Sequence, residues 1–471
     1  MVTKIIDSDI DSGMEDLISE LQVLIRQRSV SAKKQNLIQC AHLVSQVMHK
    51  AGINAELLFL DNITDNDKKD APPIVYGEVK SKSNPNGKTI LFYNHYDVQP
   101  EDPVELWDED PFSGKVEGNY IFGRGAADDK GELITRIKAV QSFINQTDDV
   151  PCNVKFIVEG EEEIGSVNIE EYLMKYKNKL VCDAVIWEFG YIDEKDRPII
   201  SLGMKGLLYV EMIAKGPSRD AHSSLAVLIE NPAWTLVRAL DTLRDNTGKI
   251  LIKDWYKEVR GFTSEEIALI NEPFDEQKFK QEYNIINFVN NISGIETVKA
   301  LSGMPTCNIA GLVAGYTGAG AKTVLPAEAI AKIDFRLVPH MVPEKQFERL
   351  KDHLKENSFS DDIELKLIHG GSAARTAVSD PFVKCVEESA REIFGEAILN
   401  ISSAGTGPMH SFMKILSVPC VSIGSTYVYS KIHSPNEFAR IDLLNKTTKC
   451  IGTIIEKFSR GTATKLYSEQ R

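Results

Sequence analysis

Apolar positions recur with helical spacing over residues 14–26, where Met14, Leu17, Ile18, Leu21, Leu24 and Ile25 share a face, and again over residues 39–51 before Gly52, a helix stop. Two amphipathic helices therefore open the chain. Short β-rich runs follow at residues 55–60, 74–79 and 89–93, separated by an acidic Asn/Asp-rich loop at 61–71 and a second loop at 81–87. Residues 132–143 predict a helix, 153–158 a strand, 168–176 a helix and 184–187 a strand. Strands alternating with helices predict an α/β fold with a mixed, mostly parallel sheet flanked by helices.

The pattern changes after Ser201. Residues 207–214 predict a strand, 232–245 a helix, 307–313 and 329–338 strands, 343–356 a helix and 363–367 a strand, with a polar, acidic stretch at 250–281. This βαββαβ order is that of a small, ferredoxin-like α+β domain. The α/β texture resumes with a helix at 380–394, a strand at 419–423 and a helix at 441–460. The simplest organisation is one catalytic domain, residues 1–204 and 379–471, interrupted by an inserted domain at 205–378.

Length and charge narrow the function. A chain of 471 residues exceeds one ordinary hydrophobic core. No apolar run approaches the ~20 residues of a membrane span, and a net charge of −14 argues against nucleic acid or an anionic membrane surface as partner. Seven scattered cysteines without a Cys-x-x-Cys pair, together with a polar, acidic N-terminus, predict a cytoplasmic protein without a secretory leader.

An acidic protein suits a site that gathers carboxylates around cations, and five short stretches carry such groups: Asn94-His95-Tyr96-Asp97, Gly125-Ala126-Ala127-Asp128-Asp129-Lys130-Gly131, Glu159-Gly160-Glu161-Glu162-Glu163-Ile164-Gly165-Ser166, Ile186-Trp187-Glu188 and Ile432-His433-Ser434. An apolar strand ends in His-x-Asp, which puts His95 and Asp97 on one side, where the carboxylate can fix the imidazole. Asp128 follows a glycine turn and precedes a helix, either as a site residue at the sheet's C-terminal edge or as a helix N-cap. Adjacent carboxylates at Glu161, Glu162 and Glu163 repel, so the run is either a solvated loop or a place where a cation reverses the repulsion.

Taken together, His-Tyr-Asp-Val-Gln-Pro100, Gly-Arg-Gly-x-x-Asp-x-Lys-Gly131, Glu-Gly-x-Glu-Glu-x-Gly-Ser166 and Ile-His-Ser434 resemble the M20 family of dinuclear zinc peptidases. Within it, the chain looks most like the branch of cytosolic non-specific dipeptidases and carnosinases, over nearly its whole length from about Met14. The resemblance implies a phosphorylase/hydrolase-like catalytic sheet and two divalent metals, Zn²⁺ with Mn²⁺ or Co²⁺ as alternatives. One metal would be held by His95, Asp128 and Glu188, the other by Asp128, Glu163 and His433. It further implies Glu162 as general base, Asp97 as the residue orienting His95, and a cis Asp128–Asp129 peptide.

In the inserted domain, Gly216-Pro-Ser-Arg-Asp-Ala-His222 resembles the segment whose histidine polarises the scissile carbonyl, often in the other subunit of a homodimer. Lys322-Thr323, Asp334-Phe-Arg336 and Ser403-Ala-Gly405-Thr406 resemble substrate-binding segments, with Arg336 clamping a C-terminal carboxylate. The inserted domain would serve as lid and dimerisation module, and the substrate would be a dipeptide or small peptide. Glu188 stands where the dipeptidase branch has Asp and deacylating members have Glu. An N-acyl amino acid deacylase or carboxypeptidase with the same mechanism is therefore the alternative, and a non-catalytic metal-bound binding protein a more distant one.

Overall fold

The structure, a computed structural model, describes residues 2–60, 71–270 and 274–461. Most of the acidic loop expected at 61–71, and three residues of the polar stretch at 250–281, lie outside the described residues. By internal contacts the chain forms two compact units. One comprises the residues up to Gly203, Thr376–Ile401 and those from Gly407 onward; the other comprises Met204–Arg375 with Ser402–Thr406.

The first unit is built on eight strands: β1 (Asn54–Leu58), β2 (Ile74–Val79), β3 (Thr89–His95), β4 (Asn153–Glu159), β5 (Ala184–Trp187), β6 (Ile199–Ser201), β7 (Ile398–Asn400) and β8 (Cys420–Ser422). Their order in the sheet is β1-β2-β4-β3-β5-β8-β6-β7. The centre, β4-β3-β5-β8, is parallel. Helices cover both faces, so β3 reads as a continuous apolar run, and Ile90, Leu91, Phe92 and Tyr93 are fully buried. Register places His95 opposite Glu159 and Phe92 opposite Ile186, which brings the C-terminal ends of three strands to one edge. Open α/β sheets put their sites at that edge.

The helix Lys130–Thr147 leaves this edge and is buried along most of its length. Its first residue carries a buried ammonium that donates to Leu24 O at 2.9 Å and Gln27 O at 2.8 Å. Those carbonyls end the helix Met14–Arg26, where no intrahelical donor remains to satisfy them. A helix at Val2–Ser12, which hydrophobic spacing did not predict, buries Ile6 and Ile10 against the helices Lys130–Thr147 and Ile441–Arg460. All seven cysteines are free. Among the described residues no helix is long and apolar enough to cross a membrane.

The second unit has the expected βαββαβ order. A four-stranded antiparallel sheet runs Asn308–Ala314, Glu328–Leu337, Gly206–Lys215, Ile363–Gly371 across its width. Alternate residues of the inner strands (Leu208, Val210 and Met212; Ala331, Ile333 and Phe335) form a core with Leu236, Leu350 and Leu354 from the helices Pro232–Asp241 and Pro343–Glu356. Ser402–Thr406 groups with this unit because the Lys205 amide donates to Ser403 O and Gly405 O, at 3.2 and 3.1 Å.

Candidate metal centre

Asp128 lies at the centre of a cluster that the sheet edge assembles. One of its carboxylate oxygens, Oδ1, is 3.1 Å from His95 Nε2, and the other, Oδ2, is 3.1 Å from His433 Nε2. Glu163 Oε2 is 3.0 Å from the same nitrogen of His433. Ligand atoms of His95, Asp128 and Glu163 all lie within 4.8 Å of one another. Residues separated by more than 300 positions thus converge on one carboxylate. The turn that presents Asp128 requires Gly125, whose φ of +86° is costly for any residue with a side chain.

His95 is held from behind. Its Nδ1 donates to the Asp97 main-chain oxygen at 3.0 Å, which leaves Nε2 facing the cluster. The Asp97 carboxylate is 3.4 Å from Nδ1 and does a second task. Its two oxygens accept the main-chain N–H groups of Glu162 and Glu163, at 3.2 and 3.1 Å. Asp97 therefore fixes both the imidazole and the acidic turn. Gln99, for which no role was expected, donates to Glu163 Oε2 at 2.9 Å and to its main-chain oxygen at 3.1 Å. Its signal was its place in the His-Tyr-Asp-Val-Gln-Pro100 run.

Glu188 follows β5 and is buried, and its Oε2 has no hydrogen-bond partner. Its main-chain oxygen accepts from Asn94 Nδ2 at 3.2 Å. Below it, Arg136 donates to Trp187 O and Ile423 O, both at 3.1 Å, and pairs with Glu132 at 2.9 Å. The Asp128–Asp129 peptide is cis. Asp129 Oδ2 accepts from Asn94 Nδ2 at 2.7 Å and from the His95 amide at 2.9 Å. The N-cap alternative for Asp128 does not hold: Asp129 occupies the cap position of the helix Lys130–Thr147, with no side-chain cap bond.

The electrostatics ask for positive charge. Burial pushes Glu188 well above the carboxylate range, and Glu162, Asp129 and Asp128 add to the shift. Burial does the same to Glu162, with Glu163, Asp128 and Asp97 adding. Burial alone would raise Asp128 too, yet its contacts with His433 and His95 hold it low. Those contacts in turn push His433 up to about 10, through Asp128 first and Glu163 second. Carboxylates so enclosed are stable when a cation sits among them.

The remaining expected site residues belong to the second unit, where they form two groups. His222 pairs with Val324 across a two-stranded ladder, and its Nε2 is 3.4 Å from Thr323 Oγ1. Its Nδ1 is 2.8 Å from Ser224 Oγ, and the residue is exposed. Arg336 Nη1 donates to Thr406 Oγ1 at 2.5 Å, and the Gly405 amide donates to Ser403 Oγ at 3.1 Å.

The chain is similar to known proteins over most of its length. Residues 91–457 match peptidase family M20/M25/M40. The crystal structure of an M20 family metallo-carboxypeptidase, Sso-CP2 from Sulfolobus solfataricus, is 38% identical and superposes with a TM-score of 0.87 over 94% of this chain and 99% of that one. Beta-Ala-His dipeptidase of Homo sapiens is 28% identical, covering 91% of this chain and 87% of its own length. Cys-Gly metallodipeptidase dug1 of Schizosaccharomyces pombe is 30% identical, covering 77% of this chain and 78% of its own. With the family match spanning most of the sequence and the acidic, imidazole-flanked cluster inside it, the chain belongs to peptidase family M20/M25/M40 and is a metallopeptidase.

Proposed function

We propose that this chain hydrolyses the peptide bond of dipeptides or small peptides bearing a free C-terminal carboxylate, using two divalent cations at the cluster around Asp128. The observation that carries the reading is the Asp128 carboxylate, which offers one oxygen to each of two imidazoles. The unpartnered Oε2 of Glu188 fits a donor awaiting a cation. A set of imidazoles and carboxylates without thiolate suits Zn²⁺, with Mn²⁺ or Co²⁺ as alternatives. His95, Asp128 and Glu188 would hold one ion, and Asp128, Glu163 and His433 the other. When bound, such a pair lowers the pKa of a water and stabilises the oxyanion of the tetrahedral intermediate.

The chain's own groups complete the reaction. Glu162 takes a proton from the attacking water and returns it to the departing amine. Asp97 holds the Glu162 main chain in place. His222 polarises the scissile carbonyl, and Thr323 beside it touches substrate. Arg336, braced by Thr406 next to Gly405, grips the C-terminal carboxylate through the planar fork that a lysine lacks. Relatives named as dipeptidases and a structural neighbour named as a carboxypeptidase are consistent with substrates ending in a free carboxylate.

The inserted unit, residues 205–378, is on this reading the lid and the homodimer interface. Its edge strand Asn308–Ala314 exposes Ile309, Leu312 and Val313, and the helix Pro232–Asp241 exposes Trp234 and Val237. Apolar residues on an unpaired edge are a template for a second strand. Sedimentation velocity should give twice the chain mass; the chain mass itself would remove this part of the reading.

The second reading is a carboxypeptidase or N-acyl amino acid deacylase, favoured by Glu188 and by the 38% identity to Sso-CP2. A panel of unblocked dipeptides, longer peptides and N-acetyl amino acids, run on protein of measured metal content, separates the two. Faster turnover of unblocked dipeptides is expected, and a clear preference for the acetylated set would reject the dipeptidase reading. With peptide amides added to the panel, Arg336→Met should raise KM for the free acids by about ten- to a hundred-fold, the cost of losing a charged hydrogen bond, and leave the amides unaffected.

A further inference from the structure

Glu437 lies four residues beyond His433, is fully buried, and has no part in the chemistry described so far. Its Oε1 accepts three main-chain N–H groups of the glycine turn: Gly125 at 3.1 Å, Ala127 at 3.0 Å and Asp128 at 3.2 Å. Its Oε2 accepts from Arg124 Nη1 at 2.6 Å, and its main-chain oxygen accepts the Gly123 amide at 2.9 Å. Arg124 is itself tied to Pro100 O at 3.2 Å and lies over the Trp107 ring at 5.4 Å. One side chain thus satisfies nearly every outward amide of the turn that presents Asp128.

The consequence is a direct link between two ligand-bearing segments that are 305 positions apart in sequence. A cation shared by Asp128 and His433 requires both to be held in register before it arrives, because ordering them on binding would subtract from affinity. Three amides converging on one oxygen also make a rigid anchor, since a shorter or neutral side chain cannot meet all three and Arg124 together. We infer that Glu437 is a positioning residue for the metal centre: its carboxylate locks the Asp128 turn to the His433 loop and so sets the affinity for the divalent ions.

This inference rests on the proposed metal site, so the experiment includes a control for that site. Metal-free full-length protein is titrated with Zn²⁺ in competition with a chromophoric chelator, and thermal midpoints are recorded without metal. Glu437→Asp keeps the charge facing Arg124 but shortens the reach. It should raise the Zn²⁺ Kd about 10- to 100-fold, the range for groups that orient ligands, with KM unchanged at saturating metal. Ile454→Val, in the core far along the final helix, supplies a loss of stability without touching the turn. A Kd within twofold of the parent in Glu437→Asp, or an equal shift in Ile454→Val at equal loss of midpoint, would overturn the inference. If Glu437→Asp does not fold, Glu437→Gln is read in its place; failure of both to fold also overturns it, because the carboxylate would then hold the chain rather than the site. Zn²⁺ uptake by Asp128→Ala equal to that of the parent would instead reject the metal site itself.

Discussion

Asp128→Ala should abolish hydrolysis and remove both ions, with kcat/KM falling by more than about a hundred-fold, since even groups that merely orient ligands cost that much. The size follows from the sharing: each of its oxygens meets a different imidazole, so no single metal set survives its loss. Stability should change little relative to the metal-free parent. The helix that starts at Lys130 takes its cap position from Asp129 and receives no side-chain cap bond, so no helix end is uncovered. In the metal-free variant His433 loses its first-ranking partner but keeps Glu163 at 3.0 Å. Its pKa, read by NMR titration, should fall below that of the metal-free parent, where Asp128 helps hold it above the ordinary imidazole range. Full activity in a folded Asp128→Ala protein would be incompatible with the site.

Glu162→Gln should separate chemistry from binding. A positioned base contributes roughly 10²–10⁴-fold, so kcat should fall by that factor while KM and metal content stay near the parent's. The substitution is mild in structural terms, because the residue is anchored through its main-chain N–H to Asp97 Oδ1 at 3.2 Å. A fall in metal content equal to that of Glu163→Gln would instead make Glu162 a ligand. Hydrolysis that continues undiminished would remove it from the mechanism.

Much of this site was legible because its residues sit where regular structure ends. His95 closes a strand that is buried from Ile90 onward, Glu188 follows a fully buried one, and period-two alternation places Asp97 on the same side as His95. Alternation could not show that the Asp97 carboxylate reaches the amides of Glu162 and Glu163, 65 and 66 residues later, since that contact depends on the register of β3 against β4. Glu437 is the extreme case: an acid in a loop, whose meaning appears only when its oxygen meets three amides of a distant turn. The N-terminal helix escaped because its polar residues outweigh a narrow stripe through Ile6 and Ile10. Likewise Ser402–Thr406 reads as a loop between α/β elements, and its bonds to Lys205, Gly206 and Arg336, which join it to the second unit, appear only in the folded chain.

The most direct test of the pair of cations is anomalous scattering from crystals grown with Zn²⁺, with data collected on both sides of the zinc edge. Two peaks should flank the Asp128 carboxylate, one in contact with His95 and Glu188 and the other with Glu163 and His433. A single peak at Asp128, or none there, would contradict the dinuclear centre.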